Sequence, residues 1–580
     1  MTTVTVTSGQ TSSGVVLNAA DVEYVFSGGV AIGTTVNTGG LANIKSGGLD
    51  SASFLNSGYE TVSAGGTAIG TTVNDAALIT LDGGTGSAIV LNGTGRDYVR
   101  NGGTTFGTIV NQDAGEYIFS GGHASGSVLG FNTFEFISAG GAAVGAIVNN
   151  GAEQVVFSDA TATGTVVNSG GYIFVNNGGI ARAFTVNSGG SGVISAGGTA
   201  AGAIVKKGGG IYISSGGTTS GSTISGGAAE YVNNGGEASG TVVSAGGTEF
   251  VYSGGTAVGT NVLKGGTIVY AGGRVSNVTM ASGTTAIIEF GTVLYSPDID
   301  TSVKYLVSNG GTLVGATVSS GGRFIVFDGG LARGTTLTGT VPASGTARIS
   351  YEIVSAGGTA SNTHIGNGGD LVLRGATAQT VIVSSGGVAE VSSGSTASGV
   401  SVLSGGTLVY DGGAVVGVTL NSGATEALGR GVVTSGLKVT SGVTLVVSAG
   451  ATASNTILAG GREVVSSGGI IGGGVIFGGN STLTLESTKN TALSTSGFSP
   501  TDTIAFANIG VKGTKLSFTE NAAKTKGVLT VTNGAFHASI TLFGQYAAAG
   551  FRALADGAGM AITYVKPAAS TQPDIAAPHT

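Results

Sequence analysis

The chain has 580 residues, of which 112 are Gly and only 9% are charged, and it contains no Cys and no Trp. These counts exclude a disulfide framework and a thiolate metal site. The net charge of −7 is spread thinly, so nucleic acid is not expected as a partner. Because 41% of the residues are apolar, and these are mostly Val, Ile, Ala and Leu, the composition favours β-structure with frequent turns over disorder.

The start of the sequence, MTTVTVTSGQTSSGVVLNAAD, has neither a basic segment nor an apolar one. No N-terminal signal peptide is therefore predicted. The apolar runs are short and interrupted by Gly, so no membrane span is predicted either.

A repeat of 18 or 19 residues runs along most of the chain, marked by pairs that are usually Gly-Gly. One period reads GGEASGTVVSAGGTEFVYS (235–253). An aliphatic residue recurs eight positions after the first Gly, and another recurs three positions before the next pair. Examples of the first are Val36, Val73, Val110 and Val148, and examples of the second are Ile44, Val62, Ile118 and Ile137. We expect two short strands per coil, each with an inward residue, joined by turns in which Gly adopts positive φ.

This pattern predicts an all-β chain, a long single-stranded β-solenoid (β-helix) of about 25 coils over residues 1–488, because one coil cannot bury its own apolar face. Irregular coils are expected at 291–309 and 338–356, which contain Pro297 and Pro342. A small β-rich capping or secretion module is predicted at 489–566, with a hairpin turn at Asn533-Gly534. Within it, QYAAAGFRALADG (545–557) predicts a short amphipathic helix, and the tail 567–580 is expected to be disordered.

The units SGGVAIGTTVNTGGLANIKSGG (27–48) and VVSAGGTEFVYSGGTAVGTNV (242–262) resemble the passenger repeats of AIDA-type autotransporter adhesins. The resemblance covers most of the chain. It implies a bacterial cell-surface or secreted adhesin or matrix protein that binds glycans or proteins of host or neighbouring cells, or binds itself. It leaves the export route open.

The same resemblance implies O-glycosylation of repeat Ser or Thr by a protein O-heptosyltransferase. The candidates are the Ser residues that precede a Gly pair, such as Ser27, Ser46, Ser169, Ser188 and Ser253.

Three further rows recur with the period. Aromatic residues are expected to stack as a ladder, which either binds sugars or another solenoid or stabilises the solenoid internally; they are Tyr117, Phe136, Phe174, Tyr212, Tyr231 and Phe250. Acidic residues are expected to form a solvent-facing stripe, with a bridging cation as the alternative; they are Glu116, Glu135, Glu230 and Glu249. A Thr row that would suit ice binding is interrupted by Ala146, Phe184 and Ala203.

No catalytic site is predicted. A β-helix enzyme acting on glycans needs clustered carboxylates, and the nearest candidates, Asp298 and Asp300 with Lys304, are explained by a solvated loop. The His residues lie in unrelated contexts without metal-ligand spacing; they are His123, His364, His537 and His579. We therefore expect a non-enzyme without cofactor or metal. The alternatives are a structural filament or layer subunit and a glycan-active β-helix enzyme.

Overall fold

A computed structural model describes residues 1–339, 349–486 and 492–568. The described residues are all-β and form a β-solenoid of about 26 turns with a period of about 19 residues, which confirms the predicted fold class. The chain divides into two compact units. Unit 1 comprises Met1–Thr292 and Ser302–Lys304, and unit 2 comprises Val293–Thr301 and Tyr305–Thr580.

Each coil of unit 1 has three strands, not the two that the sequence predicted. One coil contains Val22–Val25, Val30–Ile32 and Thr35–Val36. The extra corner lies at Gly33, whose φ of +63° ends one strand and starts the next. The corner was missed because both short strands lie between the same two Gly pairs.

The strands of unit 1, all of whose residues are described, form three parallel sheets. Sheet 2 holds three-residue strands from Thr11–Ser13 to Arg274–Ser276, and sheet 3 holds two-residue strands from Val16–Leu17 to Thr279–Met280. The sheet 1 strands are Thr3–Val6, Val22–Val25, Leu41–Ile44, Tyr59–Ser63, Leu78–Asp82, Arg96–Arg100, Gly115–Ile118, Phe134–Ile137, Glu153–Val156, Tyr172–Val175, Ser191–Ile194, Gly210–Ile213, Ala229–Val232, Thr248–Tyr252, Thr267–Ala271 and Thr284–Glu289.

Successive coils are in register, so each residue faces its equivalent one coil further on. Val25 pairs with Ile44 in sheet 1, and Val36 pairs with Leu55 in sheet 3. These four side chains are fully buried, which confirms the two predicted rows of inward aliphatic residues. Because side chains alternate along a strand, every second position of sheet 1 forms an inner row and the others form outer rows.

The Gly pairs are turns, as predicted, and the two Gly residues have different roles. Gly28 has a φ of +74°, and the amide of Gly29 donates a hydrogen bond of 2.8 Å to the carbonyl oxygen of Phe26. A Cβ on Gly29 would lie 2.5 Å from the carbonyl oxygen of Val6 in the preceding coil. The first Gly therefore supplies the turn conformation, and the second allows coils to approach closely.

Unit 2 also contains stacked coils, but its sheets are less regular. Residues 291–309 do contain strands, Val293–Tyr295 and Asp298–Ile299, which pair in register with Thr312–Val314 and Thr317–Val318. In the other predicted irregular coil, 338–356, residues 340–348 lie outside the described part of the chain.

The other coil strands that lie entirely in unit 2 are Arg323–Val326, Leu331–Arg333, Thr336–Leu337, Ser350–Val354, Thr359–Ile365, Gly369–Leu373, Thr377–Val383, Val388–Ser392, Thr396–Val402, Thr407–Asp411, Ala414–Val416, Thr419–Leu420, Thr425–Leu428, Val433–Ser435, Lys438–Thr440, Thr444–Val447, Thr452–Ala459, Arg462–Val465, Ile470–Phe477 and Thr482–Leu485. A further strand, Val303–Val307, has residues in both units.

The C-terminal part of unit 2 contains antiparallel strands. They are Lys515–Glu520, Lys526–Asn533, Phe536–Phe543, Phe551–Asp556 and Gly559–Tyr564, preceded by Ala492–Ser496 and Thr503–Phe506. Asn533 pairs with Phe536, so a hairpin is present as predicted, but its turn residues are Gly534 and Ala535 and Asn533 is the last residue of the strand. The predicted boundary at 488 falls among residues 487–491, which lie outside the described part, as does the tail from residue 569.

The helix predicted at 545–557 is wrong. Ala548–Gly550 form a single 3₁₀ turn, and Phe551–Asp556 form a strand that pairs antiparallel with Gly559–Tyr564. Gly557, with a φ of +58°, makes the tight turn between these strands. Pairing with a neighbouring strand and burial of Phe551 outweigh the local preference of this Ala-rich segment for a helix.

Candidate functional site

The five candidate glycosylation residues are exposed, but they lie on two different turns of the coil. Ser27, Ser46 and Ser253 follow sheet 1 strands, whereas Ser169 and Ser188 follow sheet 3 strands. The spacing alone did not separate these two groups, because both turns carry the same Ser-Gly-Gly sequence. The row that contains Ser27 also holds further exposed Ser residues, at Ser8, Ser120, Ser158 and Ser215.

The turn Ser residues are packed against the Gly of the next coil. A Cβ on Gly47 would lie 2.6 Å from the Ser27 hydroxyl, and one on Gly208 would lie 2.7 Å from the Ser188 hydroxyl. Gly at these positions leaves room for the hydroxyl of the preceding coil. Each Ser hydroxyl thus lies beside a residue of the next coil that has no side chain.

All six predicted aromatic residues occupy one outer row of sheet 1, not the interior. In the C-terminal part of this row, the ring of Tyr231 lies 4.7 Å from that of Tyr212 and 5.1 Å from that of Phe250, with interplanar angles of 5° and 7°. Tyr212 is 38% exposed. The expected ladder is therefore present here, and it is on the surface.

Other aromatic residues, which sequence reasoning missed, widen this row into a patch. Phe134 stacks on Phe136 at 4.7 Å, and Tyr172 stacks on Phe174 at 5.7 Å. Tyr98 extends the row by one coil, and the other added residues lie two positions from the row on their own strands, so strand alternation places them on the same face. We call this patch the aromatic face; its members are Tyr98, Tyr117, Phe119, Phe134, Phe136, Phe157, Tyr172, Phe174, Tyr212, Tyr231, Phe250 and Tyr252.

A shallow trough of about 300 Å³ borders the aromatic face at Tyr212 and Tyr231. Its lining carries no charged side chain; the other lining residues are Gly189, Gly190, Ser191, Gly208, Gly209, Gly210, Gly227 and Ala229. The trough is flat because its floor is mostly Gly. Two aromatic rings beside an uncharged floor are suited to a neutral, partly apolar ligand rather than to an ion.

The acidic residues predicted as a solvent-facing stripe are in fact buried, so that prediction is wrong. Glu116, Glu135, Glu230 and Glu249 have no exposed surface. They belong to an inner row of sheet 1 because Glu116 lies two residues from the buried Ile118 and so faces the same way. We call this inner row the carboxylate row; its polar members are Glu23, Glu60, Asp97, Glu116, Glu135, Gln154, Glu230 and Glu249.

The recurring Thr residues are buried too, and four of them donate hydrogen bonds to the carboxylate row; they are Thr34, Thr108, Thr165 and Thr241. Thr34 donates to Glu23 at 2.9 Å, and Thr241 donates to Glu230 at 2.8 Å. The Thr row is therefore not an exposed array of the kind that ice binding requires. Phe184 interrupts the Thr row in one coil. The carboxylate-row residue of that coil is Ile173, an apolar side chain that needs no hydrogen-bond donor.

Burial raises the pKa of these acidic groups. It raises the pKa of Glu135 to about 8, with a further contribution from the neighbouring charge of Glu116. In the same way, burial and then the charge of Glu230 raise the pKa of Glu249 to about 8. Both groups are therefore mostly protonated at neutral pH.

The residues considered for catalysis lie on the surface. Asp298, Asp300 and Lys304 are exposed. Among the described residues there is no group of three or more His, Cys, Asp or Glu placed to hold a metal ion, and His579 lies outside those residues. No helix in the described part of the chain has the length and apolar character needed to cross a membrane.

Comparison with known proteins identifies the family. A family model described as "Adhesin of bacterial autotransporter system, probable stalk" matches residues 132–190. The crystal structure of the TibC-catalyzed hyper-glycosylated TibA fragment is 32% identical in sequence, with a TM-score of 0.37, over 49% of this chain and 90% of that chain. The chain belongs to the AIDA-type autotransporter adhesins. This assignment rests on the sequence identity and its coverage, and it confirms the predicted resemblance.

Other comparisons add nothing to the assignment of this AIDA-type chain. A tailspike protein mutant of an E. coli bacteriophage, in complex with a pentasaccharide, is 8% identical with a TM-score of 0.09, over 94% of this chain and 84% of that chain. That likeness is too weak to bear on fold or function. No curated protein matches the chain.

Proposed function

We propose that this AIDA-type solenoid is a cell-surface or secreted adhesin that mediates adhesion or self-association through its aromatic face. The observation that supports the proposal best is the cluster of exposed and half-buried rings on one outer surface of unit 1. Exposed apolar patches of this kind on a soluble protein mark interaction sites, because monomers otherwise avoid them. Repetition along the coils would let many weak contacts add up to firm attachment.

The partners are surface glycans or proteins of host or neighbouring cells, or a second copy of the chain. The trough beside Tyr212 and Tyr231 favours a glycan among these, because its lining is uncharged and aromatic rings pack against the apolar faces of sugars. No catalytic residue is needed for this role, and the exposed Asp298 and Asp300 give no support to a glycan-active enzyme.

Bacteria that display the full chain provide the test. A triple variant, Tyr212→Thr with Tyr231→Thr and Phe250→Thr, removes the stacked rings. Thr61 and Thr80 occupy the same outer row, so Thr is compatible with the strand at this position. We expect weaker cell aggregation and weaker binding to host cells and to arrayed neutral oligosaccharides.

The matched control is Tyr295→Thr, since Tyr295 is 71% exposed and lies outside the aromatic face. Loss of aggregation alone would identify self-association, and loss of binding to host cells or to sugars would identify those partners. Unchanged behaviour in all three assays would contradict the proposal. Polymerisation of the purified triple variant without cells would favour the filament or layer subunit instead.

We further propose that the turn Ser residues carry O-linked sugars added by a protein O-heptosyltransferase. Two points support this: their hydroxyls are exposed on stacked turns, and the related TibA fragment is described as hyper-glycosylated. The intact mass of the chain purified from its native host should exceed the mass expected from its sequence. Ser27→Ala should remove one modification, and an unmodified mass would contradict the proposal.

A further inference from the structure

Two pairs of acidic residues lie side by side in the carboxylate row. Glu116 of strand Gly115–Ile118 is directly opposite Glu135 of the next strand, and we call them the 116/135 pair. Glu230 is likewise opposite Glu249, and we call them the 230/249 pair. Adjacent parallel strands are about 4.8 Å apart, so two negative charges in either pair would repel each other strongly inside the protein.

The interior offers these pairs hydroxyl and amide groups but no positive charge. The described buried polar residues include no Lys, Arg or His. Glu116 Oε1 accepts hydrogen bonds from Thr105 at 2.9 Å and Thr108 at 3.1 Å. Neutral donors stabilise one negative charge, but they cannot compensate a second charge in the same place.

The remaining oxygens of the pairs accept no hydrogen bond, and the hydroxyls of Ser127 and Thr260, which face the pairs, have no partner either. Glu116 Oε2 and Glu135 Oε1 accept no hydrogen bond from a hydroxyl, amide or backbone group, yet the two carboxyl groups are within hydrogen-bonding reach of each other. Both oxygens of Glu249 likewise accept no hydrogen bond. The oxygens of its neighbour Glu230 accept hydrogen bonds from Thr219 and Thr241. A proton between the two carboxyl groups would satisfy both members of each pair.

The other groups that face the pairs supply no positive charge, and one of them adds to the repulsion. Asp97 precedes Glu116 in the row and adds a further acidic group, while Gln154 follows Glu135 and is neutral. Ile211 and Ile268 flank the 230/249 pair. From the other strands of the coil, the groups that face the pairs are hydroxyls of Thr105, Thr108, Ser127, Thr219, Ser222, Thr241 and Thr260.

We propose that folding of unit 1 takes up a proton at each of the two pairs, and that this proton joins the two carboxyl groups of the pair. The proton comes from water, and no covalent bond other than the new O–H bond is formed. The folded unit therefore binds more protons than the unfolded chain at neutral pH. Acid stabilises unit 1, and alkaline pH destabilises it by forcing a second charge into each pair.

The sign follows from the direction of the pKa shifts. The folded pKa of Glu135 and of Glu249 is about 8, above the ordinary value of 4.5. Their contribution to the free energy of unfolding is complete below about pH 4.5, and it is lost as the pH rises towards 8. This is opposite to ordinary acid denaturation, in which paired carboxylates must be protonated for the chain to unfold.

Infrared spectroscopy of the folded full chain tests the proposal directly. A protonated carboxyl group has a C=O stretching band that a carboxylate lacks. We expect this band in the native chain at pH 7, and each of Glu135→Gln and Glu249→Gln should remove the intensity of about one protonated group. Gln154 shows that an amide fits this row, so both variants should fold.

The matched control is Glu153→Gln, because Glu153 is exposed on the strand that also carries Gln154. It should leave the band unchanged. A second readout is the thermal unfolding midpoint of unit 1, which hydrogen exchange of its strands can follow. This midpoint should rise when the pH is lowered from 8 to 5. The rise should be smaller in the double variant that combines Glu135→Gln with Glu249→Gln. Absence of the band at pH 7, or a band that neither substitution reduces, would overturn the proposal.

Discussion

The side-chain amide of Gln154 donates a hydrogen bond to the carboxylate of Glu135 in the preceding coil. On its other side, the Gln154 carbonyl oxygen accepts a hydrogen bond from Thr165 at 2.7 Å. A neutral amide thus ends a run of acidic residues in the carboxylate row. This arrangement shows one way in which the solenoid satisfies a polar group in its interior, with donors from its own coil and from the next.

Gln154→Glu should destabilise unit 1, because it adds an acidic group directly beside Glu135. We expect the free energy of opening of strand Glu153–Val156 to fall by about 2 kcal/mol at pH 8 and by less at pH 5, where the row is protonated. Native-state hydrogen exchange of this strand measures the effect. Glu153→Gln serves as the control on the same strand, and equal losses at both pH values would contradict the expectation.

Thr241→Val should also destabilise unit 1, because it removes the hydroxyl that donates to Glu230 at 2.8 Å and keeps the side chain's shape. Leaving a buried acceptor without this donor costs about 1 to 3 kcal/mol. The control Thr185→Val changes an outer residue that pairs with Val166 and Ile204, so little effect is expected. Urea unfolding of the two variants compares them, and a larger loss for Thr185→Val would refute the expectation.

Gly29→Ala should lower the free energy of unfolding more than Gly33→Ala does, although only Gly33 has a positive φ. A Cβ on Gly33 meets nothing within 4 Å, so backbone strain of about 1 kcal/mol is expected. A Cβ on Gly29 would lie 2.5 Å from the carbonyl oxygen of Val6, and separating two coils should cost about 3 kcal/mol. Urea unfolding midpoints measure both, and the reverse order would show that turn strain outweighs coil packing.

Glu352→Gln should reduce the pH dependence of the stability of unit 2. Glu352 is buried, accepts a hydrogen bond from Thr363 at 3.2 Å, and has its pKa raised by burial to about 8. Because the folded pKa is above the ordinary 4.5, stability should be greatest at acid pH and fall as the pH rises to about 8. Urea unfolding between pH 5 and pH 8 should show a smaller change in the variant, and identical profiles would rule out this role for Glu352.

The repeat predicted the features that depend on spacing alone. Val36 and Ile44 were identified as inward residues because apolar side chains recur there in coil after coil, and both are fully buried. The turns followed from the Gly pairs for the same reason. In-register stacking turns a sequence period into rows of identical environment, so spacing translates directly into position.

The interior polar groups were missed because residue type was given more weight than position. Glu116 lies two residues before Ile118, and strand alternation places both on the same side. A second signal was available, since donors such as Thr34 and Thr241 lie 11 residues after the carboxylates they contact. Burial of an acidic side chain is costly, and donors contributed by the other strands of the coil reduce that cost.

The candidate site was predicted in part. The row that includes Tyr212 and Tyr231 was identified from its spacing, but its partners Phe134 and Tyr172 were not, because they occur in single coils. A residue that appears once leaves no periodic signal. The helix prediction failed for a related reason, since the pairing of Phe551–Asp556 depends on a neighbouring strand and not on local sequence.

In-register stacking also makes the length of this protein adjustable in whole coils. Inserting or deleting one period of about 19 residues leaves the three strand registers intact, so the chain can lengthen or shorten by unequal recombination without losing its fold. The interior limits where this can happen. Removing the coil that carries Gly192 would join Ile173 to Ile211, both apolar, whereas removing the one that carries Gln154 would leave Glu135 without its amide donor.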